Sequence, residues 1–179
     1  MSYDKLAMQP PTHFFRSSIV VLFWSGCTAL YAQGQGVNVP LEISAQTAIV
    51  FMADQSSFTL SFTDFKRGAR TNTVDVTYTV QANDVTRADD VVIARLDSLF
   101  PNIGFQGQFG SYVEKGGNAT LTPSQSGFVT LGTSDVGLAK KSGGKMLDGT
   151  FIVTYQAEAL EDQAAGEELR TLIVTFAPI

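Results

Sequence analysis

Short segments in which apolar and polar residues strictly alternate recur along most of this chain, and that alternation limits what it can fold into. Val37, Val39, Leu41 and Ile43 alternate through Val-Asn-Val-Pro-Leu-Glu-Ile-Ser, and Phe58, Leu60 and Phe62 alternate with Thr59, Ser61 and Thr63. Val74, Val76, Tyr78 and Val80 repeat the pattern, as do Phe151, Val153, Tyr155 and Ala157, and Leu172, Val174 and Phe176 close it. A period of two places successive side chains on opposite faces of a sheet, so each segment reads as a strand with one face in a core. Val91–Leu96 is a further strand candidate, and Gly127–Leu131 a shorter one. The continuous apolar run Ala48-Ile49-Val50-Phe51-Met52 is expected to be buried on both faces, or to change sheets.

Between these runs stand turn formers: Lys66-Arg67-Gly68, Lys115-Gly116-Gly117-Asn118, Ser142-Gly143-Gly144-Lys145 and Asp148-Gly149. About eight short strands punctuated in this way predict an all-β, immunoglobulin-like antiparallel sandwich with little helix. Residues 158–169 contain helix formers interrupted by Gly166, and a loop with at most one or two helical turns is expected there. Residues 97–127 are the least regular stretch.

One internal similarity stands out. Val76-Thr77-Tyr78 and Val153-Thr154-Tyr155 each lead through a short acidic loop into an apolar strand, at an offset of 77 residues. A duplicated hairpin and two hairpins converging on one solution both account for it. Acids at hairpin tips keep neighbouring sheets from stacking there.

The first 32 residues follow another pattern. Lys5, His13 and Arg16 precede an apolar stretch of 14 residues, Ile19–Ala32, that ends in small residues. A basic lead, a short apolar middle and a small exit residue form a secretory signal peptide, and the stretch falls short of the ~20 residues of a membrane-spanning helix. Cleavage is expected after Ala32, with translation starting at Met1 or Met8. Trp24-Ser25-Gly26-Cys27 offers a rival cut, in which Cys27 is lipidated; an incidental cysteine within the signal peptide is the ordinary reading. Residues 33–179 then form a single domain, with no transmembrane helix expected in it.

Removing residues 1–32 would take away the only His, Cys and Trp. It would also remove two of the 12 basic and one of the 17 acidic residues, leaving a net charge of −6. A chain without His or Cys builds no Ser–His–Asp or Cys–His system and no nitrogen- or sulfur-ligated zinc site. An acidic surface without a basic stripe argues against nucleic acid. Carboxylate chemistry stays open, because glycoside hydrolysis needs only two acids. Asp84, Asp89, Asp90, Asp97, Glu161, Asp162, Glu167 and Glu168 are available, and solvated loop charge is their ordinary role. No cofactor is expected. Asn83, Asp84, Asp89 and Asp90 offer oxygen ligands for a structural Ca²⁺, without the spacing of an EF-hand loop. Asn118-Ala119-Thr120 fits the N-glycosylation pattern, and no phosphate-cradling loop is present.

Two stretches invite a binding role. Phe100, Phe105, Phe109 and Tyr112 lie among glycines in the irregular region and could form an exposed binding loop; folding back to cap the sandwich is the structural alternative. Val37, Val39, Leu41 and Ile43 follow the glycine-rich Gln33-Gly34-Gln35-Gly36, so residues 33–44 could either add a strand to a neighbouring molecule or serve as the domain's own first strand. Pro40 suits an edge strand in both cases.

With the strands laid out, the chain resembles secreted bacterial β-sandwich pilins and spore-coat-protein-U-type proteins. The resemblance rests on the signal peptide, the alternation at 37–43, the Val-Thr-Tyr strands and the terminal Leu-Ile-Val-Thr-Phe. It departs from them in lacking their disulfide, and Phe176 with Pro178 does not reproduce their aromatic-ended terminal strand. The resemblance implies surface assembly by strand exchange. The expected function is therefore a non-enzymatic structural or surface protein, secreted or extracytoplasmic, a pilin-like or biofilm-matrix subunit that associates with itself or with other surface proteins. The alternative is a monomeric module binding carbohydrate or protein through 100–112 and 133–148. An acid-pair hydrolase is third.

Overall fold

A computed structural model describes residues 35–45, 50–83 and 90–178; the expected signal peptide, Cys27, Asp84 and Asp89 lie outside them. Ten strands occur in chain order: β1 (Gln35–Ala45), β2 (Val50–Ala53), β3 (Ser57–Phe62), β4 (Val74–Asn83), β5 (Asp90–Leu96), β6 (Ile103–Pro123), β7 (Val129–Thr130), β8 (Val136–Ala159), β9 (Glu167–Leu169) and β10 (Leu172–Pro178). No helix occurs among the described residues, so none of them supplies a helix able to cross a membrane.

The all-β expectation holds, but the strands form one mixed sheet curled into a half-barrel. The longest strand organises it. β8 pairs antiparallel with β6 along nearly its whole length, with β5 through residues 136–140, and with β4 through residues 146–155. The intervening residues 141–145 are where β8 exchanges one neighbour for the other. β1 changes partners too: residues 35–40 run antiparallel to β3, while residues 41–45 run parallel to β10. β9 also runs parallel to β1, Gly36 facing Glu167 as Leu41 faces Leu172, so β9 and β10 accompany β1 in one continuous register. These parallel pairs correct the expectation of a purely antiparallel arrangement.

The alternation accounts for the core. Val37, Val39, Leu60, Val76, Tyr78, Val80, Val153, Tyr155, Leu172, Val174 and Phe176 are all fully buried, while their chain neighbours, Gln156 and Ala177 apart, are more exposed. The two similar segments meet face to face, with Val76 opposite Val153 in the β4–β8 pair.

Five local expectations are corrected. In β2, Phe51 is buried but Met52 is 58% exposed, so this strand lies at the sheet's edge with one face covered. The region 97–127, expected to be irregular, contains the 21-residue strand β6, and 133–148 holds the first half of β8 in place of a loop. Residues 158–169 contain the end of β8 and the short β9, with no helical turn. The glycines at 116–117, 143–144 and 149 lie within the β6–β8 pair, where its register shifts at three bulges, and not in hairpin turns. Gly117 takes a φ of 99°, and a Cβ there would collide with the Met146 carbonyl. A Cβ on Gly149 would strike the Val113 carbonyl and lie 2.7 Å from the Tyr112 ring.

Candidate functional site: the first strand and its surroundings

β1 is built to seal two edges at once. Val37 and Val39 point inward and are fully buried, and Leu41 and Ile43 pack against the core as half-buried side chains. Burying each valine contributes ~1.5–3 kcal/mol. Backbone bonds hold both sides: the Leu41 amide donates to the Ser56 carbonyl at 2.9 Å, and the Gly36 and Arg170 amides donate to Gly166 and Asn38 carbonyls at 3.1 and 3.3 Å. On the outer face the Thr59 hydroxyl donates to the Asn38 side chain, while Glu42 is exposed. The segment thus serves here as its own domain's first strand, with β3 on one side and β9–β10 on the other. It brings Val37, Val39, Leu41 and Ile43 together on the inner side of one strand.

Of the two readings of the four aromatics, an exposed binding loop and rings folded back onto the domain, three of the four rings follow the second. Phe100, Phe105 and Phe109 are buried. Phe105 stacks on Tyr155 and Phe58 at 5.7 and 6.4 Å between centroids, and Phe109 on Phe151 at 5.6 Å. Phe100 leans on Phe105, with the Arg170 guanidinium 5.4 Å above its ring. Tyr112 is half-buried, and that burial, with Glu114 and Asp148 nearby, pushes its hydroxyl above the ordinary phenol range. These rings are part of the core and its lid, because β6 turns alternate residues inward from Ile103 to Phe109.

The acids separate into different roles. Asp97 accepts the Thr171 amide at 3.0 Å, Asp162 accepts the Arg67 amide at 2.9 Å, and Glu168 pairs with Arg170 at 3.2 Å. These are loop-bracing contacts. Asp90, expected to be solvated, is fully buried: its Oδ2 lies 3.4 Å from Nζ of Lys141, whose side chain is also fully enclosed. Its Oδ1 has no hydrogen-bond partner among the described residues. Of the residues considered with it as calcium ligands, Asp84 and Asp89 lie outside the described residues. No group of three or more acids, histidines or cysteines that could hold a metal occurs among the described residues. The buried pair escapes a composition-based reading, yet one signal was present: Lys140-Lys141 within a strand must send one lysine to each face.

A shallow groove of about 350 Å³ opens beside this pair's strands, lined by Val91, Ile93, Ser124, Gln125, Gly137 and Lys140. Compared with protein-family models and with curated proteins, the chain finds no match in either.

Proposed function

We propose that this chain is a non-enzymatic structural subunit of the extracytoplasmic surface, pilin-like or part of a biofilm matrix, exported by the signal peptide read at residues 1–32. It assembles by passing β1 from its own sheet into that of a neighbouring copy. The observation that carries this reading is the position of β1: the domain's first strand fills a slot between β3 and β10 through two fully buried valines. A vacated slot would expose the inner side of β3 and β10 and two rows of unpaired backbone groups, which an identical strand from another molecule satisfies. The change of partner by β1 at Pro40 and by β8 at 141–145 supports an immunoglobulin-like, two-layer reading of the curled sheet, in which these strands cross between layers.

Size measurement on the exported protein tests the proposal. Polymers that disappear when residues 33–44 are deleted support it, provided the deleted protein keeps β-rich circular dichroism. A monomer at high concentration, with or without the segment, overturns it. The groove at Val91, Ile93 and Lys140 favours a second reading, a monomeric module for a carbohydrate or protein ligand. On that reading, the intact protein stays monomeric and binding is lost with Ile93→Asp.

A further inference from the structure

We propose that Lys141 and Asp90 form an intramolecular isopeptide cross-link tying β8 to β5. The two residues stand 51 positions apart in sequence, and the pairing of Val91 with Lys140 holds their strands together beside them. Nζ of Lys141 lies 3.4 Å from Oδ2 of Asp90, so the amine is held against the carboxyl group whose Cγ it would attack, and such fixed positioning replaces a bimolecular encounter. Both side chains are wholly enclosed, so bulk water neither solvates the pair nor competes as a nucleophile. A desolvated lysine is the form in which this amine acts as a nucleophile.

The chemistry needs no further reagent. The reacting form is the pair after transfer of one proton from the amine to the carboxylate, a neutral amine facing a carboxylic acid. Nζ bonds to Cγ of Asp90, the Cγ–OH bond breaks, and one Nζ proton leaves with that hydroxyl as water. The products are an amide and one water, and no electrons change hands. Asp90 Oδ1 has no hydrogen-bond partner among the described residues, a buried polar atom that the charged carboxylate leaves unsatisfied. The neutral amide that results also removes two charges from a place where charge is costly.

The cross-link also suits its location. It spans the two strands at the point where β8 leaves β5 for β4, at the end of the sheet where Asp90 faces Pro178 of β10. Its existence is independent of whether the domain assembles into filaments.

Mass spectrometry of the full protein, unfolded in denaturant, decides the matter. The expected result is a chain one water lighter than its residues require, with a tryptic peptide that joins the Asp90 and Lys141 segments and resists cleavage after Lys141. A chain at its full mass, with separate linear peptides cut after Lys141, overturns the proposal; the wild-type protein alone gives this answer. Lys141→Arg keeps a cation opposite Asp90 but offers no such amine, and is expected to restore the missing water and free both peptides. A water still missing in Lys141→Arg would overturn the assignment to this lysine.

Discussion

The hydroxyls of Tyr78 and Tyr155 meet at 2.8 Å in the centre of the core, and the two residues are 77 positions apart in the chain. They are the last residues of the two Val-Thr-Tyr segments. Val76 faces Val153 between them, so the antiparallel β4–β8 pair lets the rings reach toward each other across the valines. Tyr78 stacks on Phe151 at 5.0 Å and Tyr155 on Phe58 at 5.2 Å. Each hydroxyl thereby serves as the other's hydrogen-bond partner inside the core, where both side chains are fully buried.

Truncating one phenol strands the other. Tyr78→Phe and Tyr155→Phe should each cost ~1–3 kcal/mol, the penalty of an unsatisfied buried hydroxyl. The double variant should cost clearly less than the sum, because both polar atoms then leave together. Urea denaturation of the four proteins measures this coupling directly.

The same pair sets an alkaline limit. Burial raises both phenols above their ordinary range, since an ionised phenolate is disfavoured in the core. On unfolding, the phenols return to about 10. Above that value the unfolded chain gives up these protons while the folded chain retains them, so the folded state binds more protons and stability falls as pH rises. Unfolding free energy should therefore be insensitive to these groups below about pH 9 and decline above about pH 10. A Tyr78→Phe/Tyr155→Phe protein should show a shallower decline in the same titration.

Close strand approach in the β6–β8 pair gives a third expectation. Gly149→Ala places a methyl group against the Val113 carbonyl and the Tyr112 ring, where backbone cannot give way. It should destabilise by ~2–3 kcal/mol, as overpacking does. Gly132→Ala meets only Leu99 Cδ2, at 3.8 Å, and should shift stability by no more than ~0.5 kcal/mol. Thermal melts of the two variants make the comparison.

β1 contributes through its inner side. Val39→Ala should cost ~2 kcal/mol through lost burial and the cavity left behind, whereas Glu42→Ala on the outer face should stay within ~0.5 kcal/mol. Equal effects from the two substitutions, read from denaturant midpoints, would contradict the placement of the strand.

The segments that alternate are those whose position was legible from the sequence. β1, β3, β4 and β10 each have one side against the core and one side outward, and their residues state this directly. β6 was not legible, because Gly104, Gly107 and Gly110 dilute the pattern and its three register shifts move the inward positions out of phase. Its Phe105 and Phe109 consequently read either as an exposed loop or as rings folded back onto the domain, with no strand indicated. The edge position of β2 was hidden because Val50-Phe51-Met52 is apolar throughout, and period alone cannot distinguish an edge from a centre. The parallel pairing of β1 with β10 joins the two ends of the domain, which local patterning does not encode. Asp90 looked like an ordinary solvated charge because burial of an ion pair depends on where the strands converge, not on either residue's type.

Directed disulfide trapping tests strand exchange most directly. Asn38 of β1 faces Thr59 of β3, so cysteines at these positions lie within bonding reach when the strands pair. One batch carries Asn38→Cys and a second Thr59→Cys, both with Cys27→Ser, and the two are mixed, assembled and oxidised. Exchange of β1 predicts disulfide-linked dimers containing one chain of each kind. Failure of the two batches to link, while a single chain bearing both cysteines closes its own disulfide, would contradict it.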